Sequence, residues 1–173
     1  MTTRRCAWGR SRWPPPTSWP RSRPCSAAWG AHIPSVVTRS SAETEQLAAD
    51  LAARFRGGEV VLLSGELGAG KTAFVRGLAR GLGSDPEEVA SPTFVLLTAY
   101  PGPLTLHHAD LYRLAGNGDE RELGLEELPG PRGVLAVEWA ERLTDPPWDR
   151  VHRVHLEHAG QDERRVTIEE PGP

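Results

Sequence analysis

Residues 60–72 read Val-Val-Leu-Leu-Ser-Gly-Glu-Leu-Gly-Ala-Gly-Lys-Thr, and they carry the strongest indication of the fold in the chain. The run Val60–Leu63 is apolar without alternation, which is typical of a short strand buried on both faces of a parallel sheet. The segment Gly65–Thr72 matches G-x-x-x-x-G-K-[ST] at every fixed position. A helical pattern follows at once, over residues 72–82. The stretch therefore predicts a strand, a glycine-rich loop and a helix in immediate succession.

Each residue type in this loop has a reason to be there if the loop binds phosphate. Lys71 can reach the β and γ phosphates as a point charge, and the Thr72 hydroxyl can ligate Mg²⁺. Lys71 is also the only lysine among the 20 basic residues of the chain, and it falls on the one position where the motif demands lysine. The backbone amides that would wrap the phosphates belong to Gly65, Glu66, Leu67, Gly68, Ala69 and Gly70.

The base of the nucleotide is constrained by what the sequence lacks. Guanine-specific proteins with a loop of this kind commonly read the base with a separate Asn-Lys-x-Asp segment. This chain has one asparagine, Asn117, and no second lysine. Adenine is therefore the expected base, and ATP with Mg²⁺ the expected ligand.

The rest of the chain predicts a small α/β domain. Ser40–Glu43 fits a capping box, and the apolar residues after it recur at helical spacing as far as Gly57 and Gly58. A charged stretch, residues 119–128, looks helical. Strand-like runs cover residues 94–100, 104–108, 134–137, 151–156 and 165–168. Strands that alternate with helices predict one P-loop NTPase-like domain over residues 36–170, with a mixed, mostly parallel sheet flanked by helices.

Composition excludes several classes of protein. No apolar run approaches the roughly 18 to 20 residues of a membrane-spanning helix. Two cysteines, Cys6 and Cys25, do not make a disulfide scaffold or a zinc site, so we expect a reducing compartment, the cytoplasm. Residues 43–173 hold 13 basic and 23 acidic groups, a net charge of -10, which is evidence against broad electrostatic attraction to nucleic acid.

The N-terminal arm, residues 1–35, is compositionally different from the rest. Residues 1–42 carry seven arginines and no acid, and the arm adds tryptophans and prolines without helical or strand periodicity. No apolar segment fits a secretory signal. A disordered extension, or an upstream start codon wrongly chosen, is the favoured interpretation; an organelle transit peptide and a nucleic-acid tail are the alternatives.

Five motifs in order resemble the TsaE family of bacterial ATPases. The likeness covers residues 36–170. The motifs are the loop Gly65–Thr72 followed by Phe74, Arg76 and Gly77; Ser91-Pro92-Thr93-Phe94; His108-Ala109-Asp110-Leu111-Tyr112-Arg113-Leu114; Glu122-Leu123-Gly124; and Glu138-Trp139.

The resemblance implies an activity and partners. The family takes part in N6-threonylcarbamoyladenosine (t6A) modification of tRNA, and its ATPase activity supports the TsaD and TsaB proteins. The implied involvement with tRNA is indirect, and no membrane is implied. The N-terminal arm departs from the family, whose members begin near the first predicted helix.

The resemblance also implies roles for residues that spacing alone does not assign. Thr93 lies in the segment Ser91–Phe94, which looks like a nucleotide-sensing switch, and Trp139 belongs to the nucleotide site. Glu138 resembles a Walker-B-like, Mg²⁺-side carboxylate, and Asp110 lies in the family's motif near the phosphates. Lys71, Asp110 and Glu138 are thus the candidate catalytic residues. Thr72, Glu138 and Asp110 are the candidate metal ligands.

Several of these roles have structural alternatives. A carboxylate after an apolar run is often only a loop or capping residue, and Glu138 and Asp110 compete for the task of orienting the attacking water. His108 is expected to be structural or related to the switch. Trp139 fits a plain core position or a partner surface equally well.

Two other functions share the same loop. A small-molecule kinase would use it to transfer a phosphoryl group, although such kinases usually add a lid and an acceptor pocket. A nucleotide-gated interaction module would bind ATP without functional hydrolysis. ATP hydrolysis, slow in the isolated protein, is the expected activity.

Overall fold

The computed structural model of the chain describes residues 35–114, 122–143 and 146–172. Within these residues there are two α-helices, α1 (Ser41–Ala52) and α2 (Lys71–Leu82). Seven strands form one sheet. They are β1 (Ser35–Thr38), β2 (Val60–Gly65), β3 (Leu97–Tyr100), β4 (Thr105–Asp110), β5 (Gly133–Glu138), β6 (His152–His158) and β7 (Arg164–Glu169).

The sheet is mixed, with most of its strands parallel. The strand order is β1-β7-β6-β2-β5-β4-β3. The pairs β6–β2, β2–β5 and β5–β4 are parallel, and the pairs β1–β7, β7–β6 and β4–β3 are antiparallel. Strands β1, β6, β2, β5 and β4 therefore run in one direction, and only β7 and β3 oppose them within the described residues. The predicted fold class is confirmed.

The central strand β2 is buried on both faces, as its unalternating apolar sequence predicts. Val60, Val61, Leu62 and Leu63 are each at most 1% exposed. Val61 and Leu63 pack into the core beneath α1 and α2. Val60 and Leu62 face the opposite side, where they pack with Leu111, Leu125 and Leu143.

The start of α1 follows the predicted cap, and its end differs from the prediction. The Ser40 hydroxyl accepts a hydrogen bond from the Glu43 amide at 3.1 Å. The helix stops at Ala52 rather than near Gly57. The amides of Arg54 and Phe55 bond to carbonyls three residues back, which tightens the chain into a turn and returns the Phe55 ring to the core.

Other boundaries also differ from the sequence-based predictions. A strand that was not predicted, β1, precedes the cap at Ser40 and pairs along the edge of the sheet with β7. The predicted strand 94–100 starts only at Leu97, since the amides of Val95 and Leu96 bond back to Pro92 in a turn. In the described part of 119–128 the structure shows a 3₁₀ turn, Leu125–Glu127, in place of an α-helix.

The remaining strand predictions are confirmed to within two residues at each end. The hairpin around Pro101–Pro103 pairs Leu97 with Ala109 and Tyr100 with Leu106. The N-terminal arm is predicted over residues 1–35; Ser35 is the first residue of β1, residues 1–34 lie outside the described residues, and the interpretation of the arm stays a prediction. Across residues 35–114, 122–143 and 146–172, no helix combines the length and apolar character that crossing a membrane requires.

Gly77 allows the two helices to pack in contact. A Cβ atom there would lie 2.1 Å from the Glu45 carbonyl oxygen and 2.6 Å from the Ala48 Cβ. We predict that Gly77→Ala lowers the free energy of unfolding by about 2 kcal/mol, because the helices must separate to admit the methyl group. Denaturant unfolding measures this. The exposed Arg80→Ala on the same helix should change it by no more than about 0.5 kcal/mol, and equal effects of the two would contradict the close-packing account.

Candidate functional site

Three parallel strands end at the same edge of the sheet, and their ends form the candidate site. β2 ends at Gly65, β4 at Asp110 and β5 at Glu138, and the last two are register partners. The carboxyl edge of such strands is where α/β folds bind ligands. A cavity of about 300 Å³ opens there, lined by Leu67, Gly68, Gly70, Lys71, Thr72, Ala73, Ser91, Thr93, Asp110, Glu138 and Trp139.

The glycine loop takes its shape from backbone conformations that side chains disfavour. Gly65, Gly68 and Gly70 have φ values of 137°, 76° and 100°. At Gly65 a Cβ atom would also lie 2.3 Å from the carbonyl oxygen of Leu156 on β6. Gly70 caps α2 without a side-chain hydrogen bond, so no cap side chain competes with an anion for the first-turn amides. The predicted strand, loop and helix are confirmed.

Lys71 is buried beneath the mouth of the cavity. Only 4% of the residue is exposed, and Nζ donates to the carbonyl oxygens of Gly65 (2.7 Å) and Glu66 (2.9 Å). Nζ also lies 3.8 Å from the centroid of the Trp139 ring. Burial lowers the pKa of Lys71, and the charges of nearby Glu138, Glu141 and Asp110 partly oppose that shift. The ammonium group is thus held where water screens its attraction for an anion only weakly.

Thr72 and Glu138 are brought into direct contact. The Thr72 hydroxyl donates to Glu138 Oε1 at 2.9 Å, and His108 Nε2 lies 2.9 Å from the same oxygen. Because the Thr72 hydrogen points to the carboxylate, the hydroxyl lone pairs remain for a cation. Glu138 is 3% exposed yet lines the cavity.

These contacts fit a magnesium ion bound together with phosphate. Mg²⁺ takes oxygen ligands and is usually held by one or two carboxylates plus phosphates and water, with a loop hydroxyl in sites of this type. Thr72 and Glu138 supply such oxygens side by side. Across residues 35–114, 122–143 and 146–172, no cluster of three or more His, Cys, Asp or Glu side chains is placed to hold a metal by itself.

Asp110 holds the segment predicted to act as a switch. Its Oδ2 accepts hydrogen bonds from the hydroxyls of Ser91 and Thr93, the latter at 2.7 Å. Its Oδ1 accepts from the Tyr112 amide at 2.9 Å. Thr93 and Asp110 both line the cavity. Phe94, which follows Thr93 in the chain, is 86% exposed. The structure therefore places Thr93 and Asp110 together, with the Asp110 carboxylate occupied by the switch segment.

Trp139 forms an aromatic wall beside Lys71. Its backbone has φ 58°, a left-handed conformation that is uncommon for a bulky residue, at the point where the chain passes from β5 into the 3₁₀ turn Ala140–Arg142. The Tyr112 ring lies 5.0 Å from the Trp139 ring, and the Arg142 guanidinium lies 5.7 Å away. Trp139 is therefore part of the site, in contact with its lysine.

Two residues of the site received no role from sequence reasoning. Ser91 lay inside a quoted motif, but its hydrogen bond to Asp110 depends on a contact between separate segments. Glu141 is half-buried, and its Oε2 lacks a hydrogen-bond partner among the described residues. Burial raises the pKa of Glu141, although its own backbone hydrogen bond and the charges of Lys71 and Arg142 oppose this. The available signal was its position three residues after Glu138.

Comparison with known proteins agrees with this geometry. A family model described as "Threonylcarbamoyl adenosine biosynthesis protein TsaE" matches residues 38–166. The matched region runs from the end of β1 into β7 and contains the loop, the switch segment, and the three acids Asp110, Glu138 and Glu141.

Individual relatives match over most of their length. A tRNA threonylcarbamoyladenosine biosynthesis protein TsaE from Treponema pallidum is 40% identical over 132 residues, covering 76% of this chain and 97% of that protein. The Bacillus subtilis protein of the same name is 41% identical over 128 residues, covering 73% of this chain and 78% of that protein. The crystal structure of YdiB from Bacillus subtilis superposes with a TM-score of 0.62 at 33% identity, covering 82% of this chain and 90% of that chain.

The raised pKa of Glu141 predicts a pH-dependent cost to stability. A carboxyl group whose pKa is higher in the folded than in the unfolded state makes folding less favourable as pH rises from the unfolded to the folded pKa, and the cost is complete above both. We therefore expect Glu141→Gln to raise the melting temperature at pH about 8 and to have less effect at pH about 4.

Thermal unfolding at the two pH values tests this prediction, with the exposed Glu126→Gln as the control. Glu126→Gln should leave the melting temperature unchanged at both. A Glu141→Gln protein that melts below the wild type at the higher pH would show that the carboxylate stabilises the folded state instead.

Proposed function

This chain belongs to the TsaE family, and on that premise we propose that it binds ATP with Mg²⁺ and hydrolyses it slowly in support of t6A biosynthesis on tRNA. The observation that carries this proposal is the contact between Thr72 at the end of the phosphate loop and Glu138 at the end of β5, beside the buried Lys71. That arrangement joins a phosphate cradle to a carboxylate on the metal side.

When ATP binds, Lys71 exchanges the acceptors of its hydrogen bonds. Lys71 leaves the carbonyls of Gly65 and Glu66 and donates to the β and γ phosphates, while the loop amides and the start of α2 surround the β phosphate. Mg²⁺, when bound with ATP, neutralises charge on the phosphates, with Thr72 and Glu138 as the side chains that hold it. Lys71 then stabilises the negative charge that shifts toward the departing ADP.

The two candidate acids have different surroundings, which supports different roles. Glu138 contacts Thr72 and so belongs to the metal side of the site. Asp110 bonds to Ser91, Thr93 and Tyr112, so its carboxylate becomes available only when the switch segment turns toward the γ phosphate. We assign Asp110 to orienting the water whose oxygen bonds to the γ phosphorus as the bond to the ADP oxygen breaks. The water proton passes to Asp110 or to solvent.

The proposed function also includes assembly with other proteins. TsaB and TsaD are the expected partners, tRNA is involved through them, and the cytoplasm is the expected compartment. In the isolated chain Asp110 and Lys71 are both engaged in internal hydrogen bonds, which supports slow turnover without a partner. Partner binding would move the switch segment away from Asp110 and couple nucleotide state to assembly.

The same internal hydrogen bonds favour a second candidate function. If Asp110 never leaves Ser91 and Thr93, the protein would be a nucleotide-gated interaction module that binds ATP without functional hydrolysis. ATP consumption measured alone, with small acceptors, and with TsaB and TsaD separates the possibilities. Turnover raised by the partners supports the ATPase, association without turnover the module, and a phosphorylated small molecule a kinase.

Replacement of the loop lysine tests the chemistry directly. We predict that Lys71→Ala lowers ATP turnover by at least about 100-fold, both alone and with the partner proteins, because it removes the buried ammonium group that now bonds to the loop carbonyls of Gly65 and Glu66 and would meet the phosphates. Steady-state release of phosphate measures this. Arg80→Ala, which removes an exposed charge from the same helix, should retain turnover. Turnover by Lys71→Ala at the wild-type rate would exclude Lys71 from the mechanism.

The switch role of Thr93 predicts a change in discrimination between nucleotides. Thr93→Val keeps the shape of the side chain but removes the hydroxyl that now bonds to Asp110 and would sense the γ phosphate. We expect the preference for ATP over ADP to fall about tenfold, as for the loss of one hydrogen bond to a charged group. Equilibrium binding of the two nucleotides measures the ratio, with Thr167→Val on β7 as the control. An unchanged ratio would contradict the sensing role.

A further inference from the structure

The ring of His108 links β4 to the carboxylate beside the phosphate loop. The residue is fully buried, and its Nε2 lies 2.9 Å from Glu138 Oε1. Glu138 Oε1 also accepts the hydrogen bond from the Thr72 hydroxyl. His108 and Asp110 are two residues apart on β4 and so project from the same face of the strand. One buried ring therefore connects the strand of the switch acid with the Thr72–Glu138 pair.

The hydrogen on this ring can be placed from the contact itself. An ionised carboxylate only accepts hydrogen bonds, so Nε2 carries a hydrogen whatever the charge of the ring. The Thr72 hydroxyl supplies a second donor to the same oxygen. Two donors that approach one oxygen from different elements, β4 and α2, fix the orientation of the Glu138 carboxyl plane.

Packing alone does not explain a histidine at this position. The other ring nitrogen, Nδ1, is buried and has no hydrogen-bond partner among the described residues. A buried polar atom without a partner destabilises the fold, and a leucine of similar size would avoid it. What leucine lacks is the donor on Nε2. The contact with Glu138 is therefore the feature that distinguishes histidine from an apolar core residue here.

We propose that His108 is a positioning residue for the magnesium side of the site. Its Nε2–H holds the Glu138 carboxylate in the orientation in which that group and the Thr72 hydroxyl meet the cation that accompanies ATP. This inference rests on the proposed function. His108 acts through Glu138, since of this pair only Glu138 lines the cavity. Groups that orient a metal-side carboxylate typically contribute 10-fold to 100-fold to metal affinity or activity.

A pair of substitutions separates the donor from the volume of the ring. His108→Leu keeps an apolar body and removes the donor, while His108→Gln places an amide nitrogen close to the position of Nε2. The readout is the gain in ADP affinity that Mg²⁺ provides, measured by calorimetry with and without the metal. We expect His108→Leu to reduce this gain by about tenfold or more, and His108→Gln to restore most of it.

A second readout follows the same difference during turnover. The Mg²⁺ concentration that gives half-maximal ATP hydrolysis should rise by a similar factor in His108→Leu. The affinity for ADP without metal should stay close to wild type, and the melting temperature should not fall, because removal of the unpartnered Nδ1 offsets the lost hydrogen bond to Glu138. A merely structural role would lower both. A shift of similar size in all of these quantities would overturn the inference.

The remaining outcomes are also decisive. A His108→Leu protein with wild-type dependence on Mg²⁺, or one no worse than His108→Gln, would overturn the positioning role alone. If His108→Leu does not fold, His108→Asn takes its place, because its shorter amide stops short of Glu138; if both fail to fold, the role is structural and the inference is wrong. A wild-type protein without Mg²⁺-dependent nucleotide binding would overturn the proposed function, and this inference with it.

Discussion

The fold depends on one close approach of backbone to backbone, at the end of β2. Gly65 leaves the strand with its Cα so near the carbonyl of Leu156 on β6 that no side chain fits between them. Because β2 is parallel to both of its neighbours, the loop after it leaves the sheet at the edge where β5 and β6 also end. The tight turn then delivers Lys71 and Thr72 to the first turn of α2. Everything else in the site is arranged around those two side chains.

The acids of the site are brought beside the phosphate loop by the register of the neighbouring strands, not by proximity in the sequence. Parallel pairing of β4 with β5 sets Asp110 opposite Glu138, although the two residues are far apart along the chain. Burial then makes each polar contact matter, because the described site contains three acids near one lysine with little water to screen them. The Lys71 ammonium group is stabilised in this buried position by hydrogen bonds to loop carbonyls and by contact with the face of the Trp139 ring. Without a nucleotide, the polar groups of the site are therefore hydrogen-bonded to one another. In the proposed function, nucleotide binding replaces some of these hydrogen bonds with bonds to the phosphates.

Sequence reasoning could predict the features that are local. The strand Val60–Leu63, the loop Gly65–Thr72 and the cap at Ser40 each follow from a few adjacent residues, and the structure confirms them. The edge strand β1 was not predicted, because four residues with exposed valines carry too short a pattern and depend on pairing with β7. The hydrogen bonds of Asp110 and the burial of Glu141 also depend on distant segments. Their positions in the sequence indicated acids near the site but not what those acids contact.

This loop and the Thr72–Glu138 pair are proposed to bind the phosphates of a nucleotide together with magnesium. Calorimetric titration of the folded full-length chain with ATP, in the presence and absence of Mg²⁺, measures that binding. We expect saturable binding of one nucleotide per chain that is strengthened by the metal. A folded protein that shows no saturable uptake of ATP with Mg²⁺ present would exclude this ligand.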